Sequence, residues 1–440
     1  MQNMKLERIL LVTTCFVIAS LNINAVSKKS KLLFLLVDGF RWDYFDLPGA
    51  NLSGFDRLFQ YGVRAQWMVP DFPTNSFPNY KSLETGLHVE GHGFVGNYMW
   101  DESTGNHFEL PMSEQSSFLS SWWDVEEPFY ITADRQGIRT GLFNVRGCDI
   151  IINGVVPSLC EPFLDNSSTA SVSLQLQHAL EMLQHDQIDI AYRRYTHITY
   201  ELHLWKNVYH MNVDTAGHNF GPNSKEVEAA VTEVDAVVSE LLDVIESIGD
   251  PHISLVLVSD HGMTSVDQTH KINISEAIDI RDVRKILDSG TQTLIWPQPG
   301  KTEQVYNRLR EFHKNLKVFN RADILDRWFF KKHSLIPPIF VTADKGWYIV
   351  HQNKVDESYA SLIAKPWHGN HGFDNDDLDM MAIFAAYGPD FKKNVVVKPF
   401  SIVNVYQVIC HVAGIKPHPH NGTWNAVQDM FVEQELHTEL

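Results

Sequence analysis

The 440-residue chain is short of basic charge: 36 Lys and Arg stand against 54 Asp and Glu, a formal balance of −18 with His neutral. That deficit excludes a protein built to coat nucleic acid, because phosphate backbones are gripped by a basic stripe. It equally excludes recruitment to anionic membranes by a polybasic patch. Long apolar runs are missing too. The longest near the start, Ile9 to Leu21, has about 13 residues, where a membrane span takes about 20. Only four cysteines are present, too few for a disulfide scaffold. Internal repeats and low-complexity tracts are lacking, and 44% hydrophobic with 20% charged residues is an ordinary globular composition. Histidine, by contrast, is plentiful at 21 residues. It is the commonest metal ligand and proton carrier, so the excess directs the search toward sites.

Residues 1–25 read as a secretory signal peptide: Lys5 and Arg8 form a basic start, the apolar run follows, and Ala25 offers a small residue for cleavage. The remainder, 26–440, reads as one catalytic domain. The polar stretch QDMFVEQELHTEL offers no hydrophobic tail, so a secreted protein without a lipid anchor is expected. Asn-X-Ser/Thr sequons at Asn51, Asn166, Asn273 and Asn421 fit export. In an oxidising compartment Cys148 and Cys160 can close a disulfide, whereas Cys410, inside VNVYQVICHVAGI, reads as a buried thiol.

Lys31–Val37 (KLLFLLV) and Ile253–Ser259 (ISLVLVS) are continuous apolar runs of strand length, as parallel strands covered on both faces require. Ile188–Tyr192 is a weaker third. Val227, Val231, Val234, Val238, Leu241 and Ile245 recur at helical spacing, with Ser224 before them and Gly249 after. Strands alternating with helices predict an α/β fold, a doubly wound and mostly parallel sheet with helices on both faces. Residues 265–350, rich in turn signals, read as a small inserted subdomain. Ligands of such sheets bind beyond the carboxyl ends of the strands, so the residues there carry most weight.

Asp38 follows the first run and Asp260-His261 follow the second. Asp214 and His218 are spaced i, i+4, on one face of a helical turn, and His371 lies between glycines in GNHGF. Three carboxylates and three imidazoles can serve two zinc-like ions with open positions for substrate. Two metals about 4 Å apart form a clamp for in-line displacement at phosphorus. The segment PDFPTNSFPNY offers Thr74 and Ser76 as hydroxyl nucleophiles, with Tyr80 just after, and spacing does not choose among them.

On VDGFR, SFPNY followed by TG, VGNYMWD, DTAGH with FGP, SDHGMT and HGFDN, in that order, the chain resembles the ecto-nucleotide pyrophosphatases/phosphodiesterases of the alkaline phosphatase superfamily. The likeness runs over roughly residues 31–432 and implies an alkaline-phosphatase-like fold with two Zn²⁺. It implies that Asp214, His218 and His371 hold one ion, and Asp38, Asp260 and His261 the other. Ser76 falls at the nucleophile position, its hydroxyl bound to zinc, and Asn97 at the position that hydrogen-bonds a phosphoryl oxygen. Within the family, GNYMWD, Trp122-Trp123, WPQPGK and NGTW are most similar to members acting on choline glycerophosphodiesters. That likeness implies hydrolysis of glycerophosphocholine or lysophosphatidylcholine to phosphocholine plus glycerol or monoacylglycerol. It places an aromatic choline cage at Tyr80, Phe129 and Tyr209, held together by cation–π attraction, and pairs Cys148 with Cys160. The family alternatives are action on nucleotides or sphingomyelin, or a catalytically silent binding relative. Tyr195 to Asn207 reads as an insertion beside the site, and nothing in the sequence excludes a homodimer.

Overall fold

The apolar run Lys31–Val37 becomes an inner strand of the main sheet because both of its faces are apolar. The computed structural model describes residues 30–109, 115–161, 169–195, 212–351 and 367–433. The signal segment, Asn166, residues 196–207 of the insertion and Tyr209 lie outside the described residues. Strand β1 (Lys31–Val37) is buried along its whole length. Its alternate side chains enter two different cores: Leu32, Phe34 and Leu36 on one face, and Leu33, Leu35 and Val37 on the other. This is the period-2 geometry of a strand covered on both sides.

In chain order the elements that matter are α1 (Ser53–Tyr61), β2 (Val63–Ala65), α2 (Ser76–Thr85), α3 (Phe129–Arg135), β3 (Thr140–Phe143), β4 (Leu159–Glu161), α4 (Thr169–Gln184), β5 (Ile190–Tyr195), α5 (Val213–Phe220), α6 (Lys225–Ile248) and β6 (Ile253–Val258). The remainder are β7 (Val283–Leu287), β8 (Gln292–Pro297), α7 (Thr302–Phe312), β9 (Leu316–Asn320), β10 (Ile339–Ala343), β11 (Phe384–Tyr387), β12 (Val395–Val397) and α8 (Val405–Ala413). The eight-stranded sheet has the order β12-β2-β11-β6-β1-β5-β3-β4. Every neighbouring pair is parallel except those made by β11, which runs against both β6 and β2. The mostly parallel, helix-covered sheet that the sequence predicts is present; the reversed strand β11 was not legible in it.

Helix α6 shows why the local sequence folds as it does. Ser224 caps it by accepting the Val227 N–H at 3.2 Å, and Gly249 ends it at φ 64°. Its stripe Val227, Val231, Val234, Val238, Leu241 and Ile245 packs into the same core as Leu33 and Leu35. The stretch 283–343 forms a second, antiparallel sheet, β7-β8-β10-β9, with α7 against it and its own apolar cluster around Ile286, Ile295, Ile339 and Val341. Cys148 and Cys160 are disulfide-bonded, with Cα atoms 5.7 Å apart, and Cys410 is a buried free thiol. Of the sequons, Asn51 and Asn421 are exposed, while Asn273 is half-buried and uses its side chain to cap the short helical turn at Ile274. No helix among the described residues is long and apolar enough to cross a membrane.

Candidate metal centre and nucleophile

Strands β1 and β6 are neighbours, so the residues just beyond their carboxyl ends meet. Asp38 Oδ1 lies 3.7 Å from His261 Nε2, and Asp260 Oδ2 lies 3.1 Å from the same nitrogen. Helix α5 brings the second group: Asn212 caps it by accepting the Thr215 N–H at 2.6 Å, and Asp214 and His218 sit one turn apart, Oδ1 to Nε2 3.4 Å. The start of α5 can come this close because residue 39 is glycine. It has φ 67°, and a Cβ there would fall 2.7 Å from Asp214 Cβ. His371, from the loop after the short strand Gly369–Asn370, completes this group with Nε2 3.6 Å from Asp214 Oδ1. Within Asp38, Asp260, His261 and within Asp214, His218, His371, the ligand atoms all lie within 4.8 Å of one another. The two groups adjoin, with the His261 and His371 rings stacked 3.6 Å apart.

The donor set fits metal ions. Each imidazole turns its Nδ1 to a backbone carbonyl: His218 to Gly369 O at 3.0 Å, His261 to Gly262 O at 2.9 Å, His371 to Thr74 O at 2.9 Å. A ring that donates through Nδ1–H presents the Nε2 lone pair, the orientation that metal-binding histidines take. Facing those nitrogens are Asp38 Oδ1, Asp214 Oδ1 and Asp260 Oδ2, three buried carboxylate oxygens without a hydrogen-bond partner. A buried oxygen left unpaired is costly, and a cation at each cluster removes the cost. The electrostatics agree. Burial, then the neighbouring Asp38 charge, pushes Asp214 up to about 7, and the same causes raise Asp260. Burial holds His261 and His371 below the usual imidazole range, so they are neutral and able to coordinate.

Ser76 opens helix α2 directly after the extended Asn75, and its Oγ lies 3.3 Å from His261 Nε2, beside the Asp38 group. Thr74, the other hydroxyl in that loop, is fully buried and acts as a latch: its Oγ1 donates to Phe373 O at 2.9 Å and accepts the Gly372 N–H at 2.9 Å. It therefore fixes the loop that carries His371, a role no sequence signal announces. Asn97 Oδ1 accepts the Phe77 N–H at 3.0 Å, which leaves the amide donors for an acceptor in the cleft that Asn97 lines.

Two of the three expected cage residues, Phe129 and Tyr80, are buried in the structure; the third, Tyr209, lies outside the described residues. Phe129 is 0% exposed, packed edge-on to Phe34 and close to Tyr192, in the main core. Tyr80 is 4% exposed, its hydroxyl donates to Asp38 Oδ2, and the Arg194 guanidinium lies 4.7 Å from its ring centre. The sheet buries both rings because they belong to helices α2 and α3, which cover it. An open cavity of about 210 Å³ does exist beside the candidate metal-binding groups. It is bounded by Asn97, Tyr98, Asp288, Tyr348, Trp367 and His371. Trp367 stands edge-on to His218, ring centres 4.3 Å apart. The sequence reading missed Tyr98, Asp288 and Trp367. The Asp-Ser-Gly turn and the Trp beside the HGNHG stretch were the available signals.

A family profile described as "Type I phosphodiesterase / nucleotide pyrophosphatase" matches residues 32–374. Human ectonucleotide pyrophosphatase/phosphodiesterase family member 5 is 31% identical over 422 residues, covering 94% of this chain and 82% of the relative. Human bis(5′-adenosyl)-triphosphatase ENPP4 is 30% identical over 414 residues, covering 93% of this chain and 84% of the relative. A solved structure of an inactive variant of murine member 5, in complex with AMP, superposes with TM-score 0.81 at 29% identity over 92% of this chain and 100% of that one. The profile spans both candidate metal-binding groups, Ser76 and Asn97, and the chain belongs to the type I phosphodiesterase/nucleotide pyrophosphatase family of metal-dependent hydrolases.

Proposed function

We propose that the protein is an exported phosphodiesterase that carries two zinc ions and works through a covalent adduct on Ser76. The observation that carries this reading is the pairing of two Asp/His groups with a serine hydroxyl 3.3 Å from His261 Nε2. Bound zinc would supply charge for the phosphoryl oxygens and ease ionisation of a hydroxyl near neutral pH. Ser76 Oγ attacks phosphorus; its bond to phosphorus forms as the bond to the leaving oxygen breaks, so Ser76 is left as a phosphodiester bearing the retained group. Water then attacks the same phosphorus and releases Ser76. Asn97 Nδ2 donates to a phosphoryl oxygen whose negative charge grows in the transition state. The carbonyls of Gly369, Gly262 and Thr74 hold the three imidazoles in register throughout.

For the retained group, a nucleoside is favoured by two observations. A relative of the same fold binds AMP, and at Tyr80, where a choline was expected, the Arg194 cation lies over the ring. A quaternary ammonium there meets like charge. Choline diesters are the second reading, favoured by the aromatic walls Tyr98, Tyr348 and Trp367 of the open cleft. Purified zinc-loaded protein, assayed on glycerophosphocholine, sphingomyelin and a dinucleotide, separates the two; faster turnover of either choline lipid refutes the nucleoside assignment. The Ser76→Ala variant is expected to keep its zinc, measured by plasma mass spectrometry, and lose turnover by several orders of magnitude. Near-normal rates refute the covalent route.

A further inference from the structure

The turn Asp288–Thr291 joins β7 to β8 in the small sheet, far in sequence from every metal-binding residue, yet it forms a wall of the cleft beside His218 and His371. Several contacts hold it there. Gly290 and Ile349 exchange backbone hydrogen bonds of 2.8 and 2.6 Å. A Cβ on Gly290 would lie 3.1 Å from Asn370 Nδ2, and one on Gly372 would lie 2.2 Å from Thr291 Oγ1, so the turn abuts the loop that carries His371. Asp288 occupies the left-handed region at φ 65°, which Asp and Asn tolerate. Its Oδ1 accepts the Ser289 N–H at 2.7 Å, Oδ2 the Gln292 amide at 3.4 Å, and its carbonyl the His351 ring at 3.0 Å.

A second observation concerns what the wall does not contain. Among the described residues that line this cleft there is no Lys or Arg, and Asp288 is the sole carboxylate. Recognition of a polyphosphate calls for cations, above all arginine. Ser76 faces the Asp38 group, and in an in-line displacement the leaving group departs on the side away from the nucleophile. His218 and His371 of the other group line one cleft with the turn, and the departing group is assigned to that cleft.

Resting on the phosphodiesterase reading above, we propose that the 288–291 turn is the leaving-group subsite, and that Asp288 and Ser289 select neutral or cationic leaving groups rich in hydroxyl or amino donors, such as polyols and amino alcohols, against leaving groups that carry further phosphates. The enzyme is thereby a diesterase first and a pyrophosphatase second. The same wall suits either retained group, nucleoside or choline.

The test uses two substrate pairs that share the transferred group and differ in the leaving group: thymidine 5′-monophosphate p-nitrophenyl ester with thymidine triphosphate, and p-nitrophenyl phosphorylcholine with CDP-choline. The pair whose p-nitrophenyl ester turns over faster is used, on the full zinc-loaded chain at pH 8.5, where a carboxyl that burial has pushed up to about 7 is ionised. In Asp288→Asn, which keeps the positive φ acceptable, the kcat/KM ratio of the anionic-leaving substrate to its ester is expected to rise roughly five- to twentyfold, the scale of one partly screened charge. Ser289→Lys, at a half-buried position, is expected to move the ratio in the same direction, and it keeps the proposal testable if Asp288→Asn misfolds. A ratio within twofold of wild type in the folded variants overturns the leaving-group assignment alone. Failure of wild type to turn over either p-nitrophenyl ester overturns the phosphodiesterase reading along with it.

Discussion

Stripping the metals should make the folded protein's stability depend on pH in a direction that the site dictates. Asp214 is the informative group. In the unfolded chain its carboxyl titrates at 3.8; in the folded, metal-free site, burial and then Asp38 push it up to about 7. A carboxyl whose folded value is raised binds its proton more tightly in the folded state. Its contribution to stability is therefore full below about 3.8 and is lost as pH climbs to about 7. The side chain is 18% exposed, so solvent screens part of the effect. A shift of about three units then costs about 2–4 kcal/mol. Unfolding entropy for about 400 residues is near 0.9 kcal/mol per kelvin, which converts this to roughly 2–5 °C in Tm. Zinc removes the penalty, because it needs the carboxylate ionised. The Tm gain on adding zinc to chelator-treated protein, read by scanning fluorimetry, should thus be larger at pH 7.5 than at pH 4.5 by about that amount. A gain that is flat or shrinks with rising pH refutes the assignment of Asp214 to a cation site.

Gly39→Ala should fail to hold metal at the Asp214 group, because its Cβ would meet Asp214 Cβ at 2.7 Å and its φ of 67° is strained. A loss of about 1–3 kcal/mol in stability and of one zinc equivalent is expected; full stoichiometry by mass spectrometry counts against it. Thr74→Val keeps the shape of the latch but removes both hydrogen bonds to the His371 loop. It should lower kcat or zinc affinity about 10–100-fold with Ser76 intact, and unchanged titrations would disprove the latch. Arg194→Met should raise turnover of p-nitrophenyl phosphorylcholine relative to the thymidine ester if the cation over Tyr80 repels choline; an unmoved ratio argues that choline never reaches that ring.

Much of the site was legible because its parts are local. A carboxylate directly after an apolar strand, twice, and an Asp/His pair one helical turn apart can each be read without knowing the fold. Adjacency of β1 and β6 then brings Asp38 to Asp260 and His261, which the alternation of strands and helices makes natural. What stayed hidden depends on contacts between distant segments. Thr74 and Ser76 look alike in PDFPTNSFPNY; the family likeness points to Ser76 as nucleophile, but the role of Thr74 in holding the His371 loop shows only in its packing against Phe373 and Gly372. The 288–291 turn reaches the cleft through contacts with distant segments, among them the pairing of Gly290 with Ile349. Tyr80 and Phe129 were expected to line a cage because they are aromatic at the matching positions, but hydrophobic burial against the sheet takes both rings. Aromatic side chains carry the same sequence signal whether they face a ligand or a core.

The most direct test of a serine phosphodiesterase is to catch the adduct. Zinc-loaded wild type is mixed with bis(p-nitrophenyl) phosphate, quenched in acid within milliseconds, digested, and the peptide spanning Ser76 is weighed. The expected result is a p-nitrophenyl phosphoryl group on Ser76, present during turnover, decaying as substrate runs out, and absent from Ser76→Ala. Steady hydrolysis with no adduct at Ser76, or with the adduct on Thr74 instead, would contradict the account.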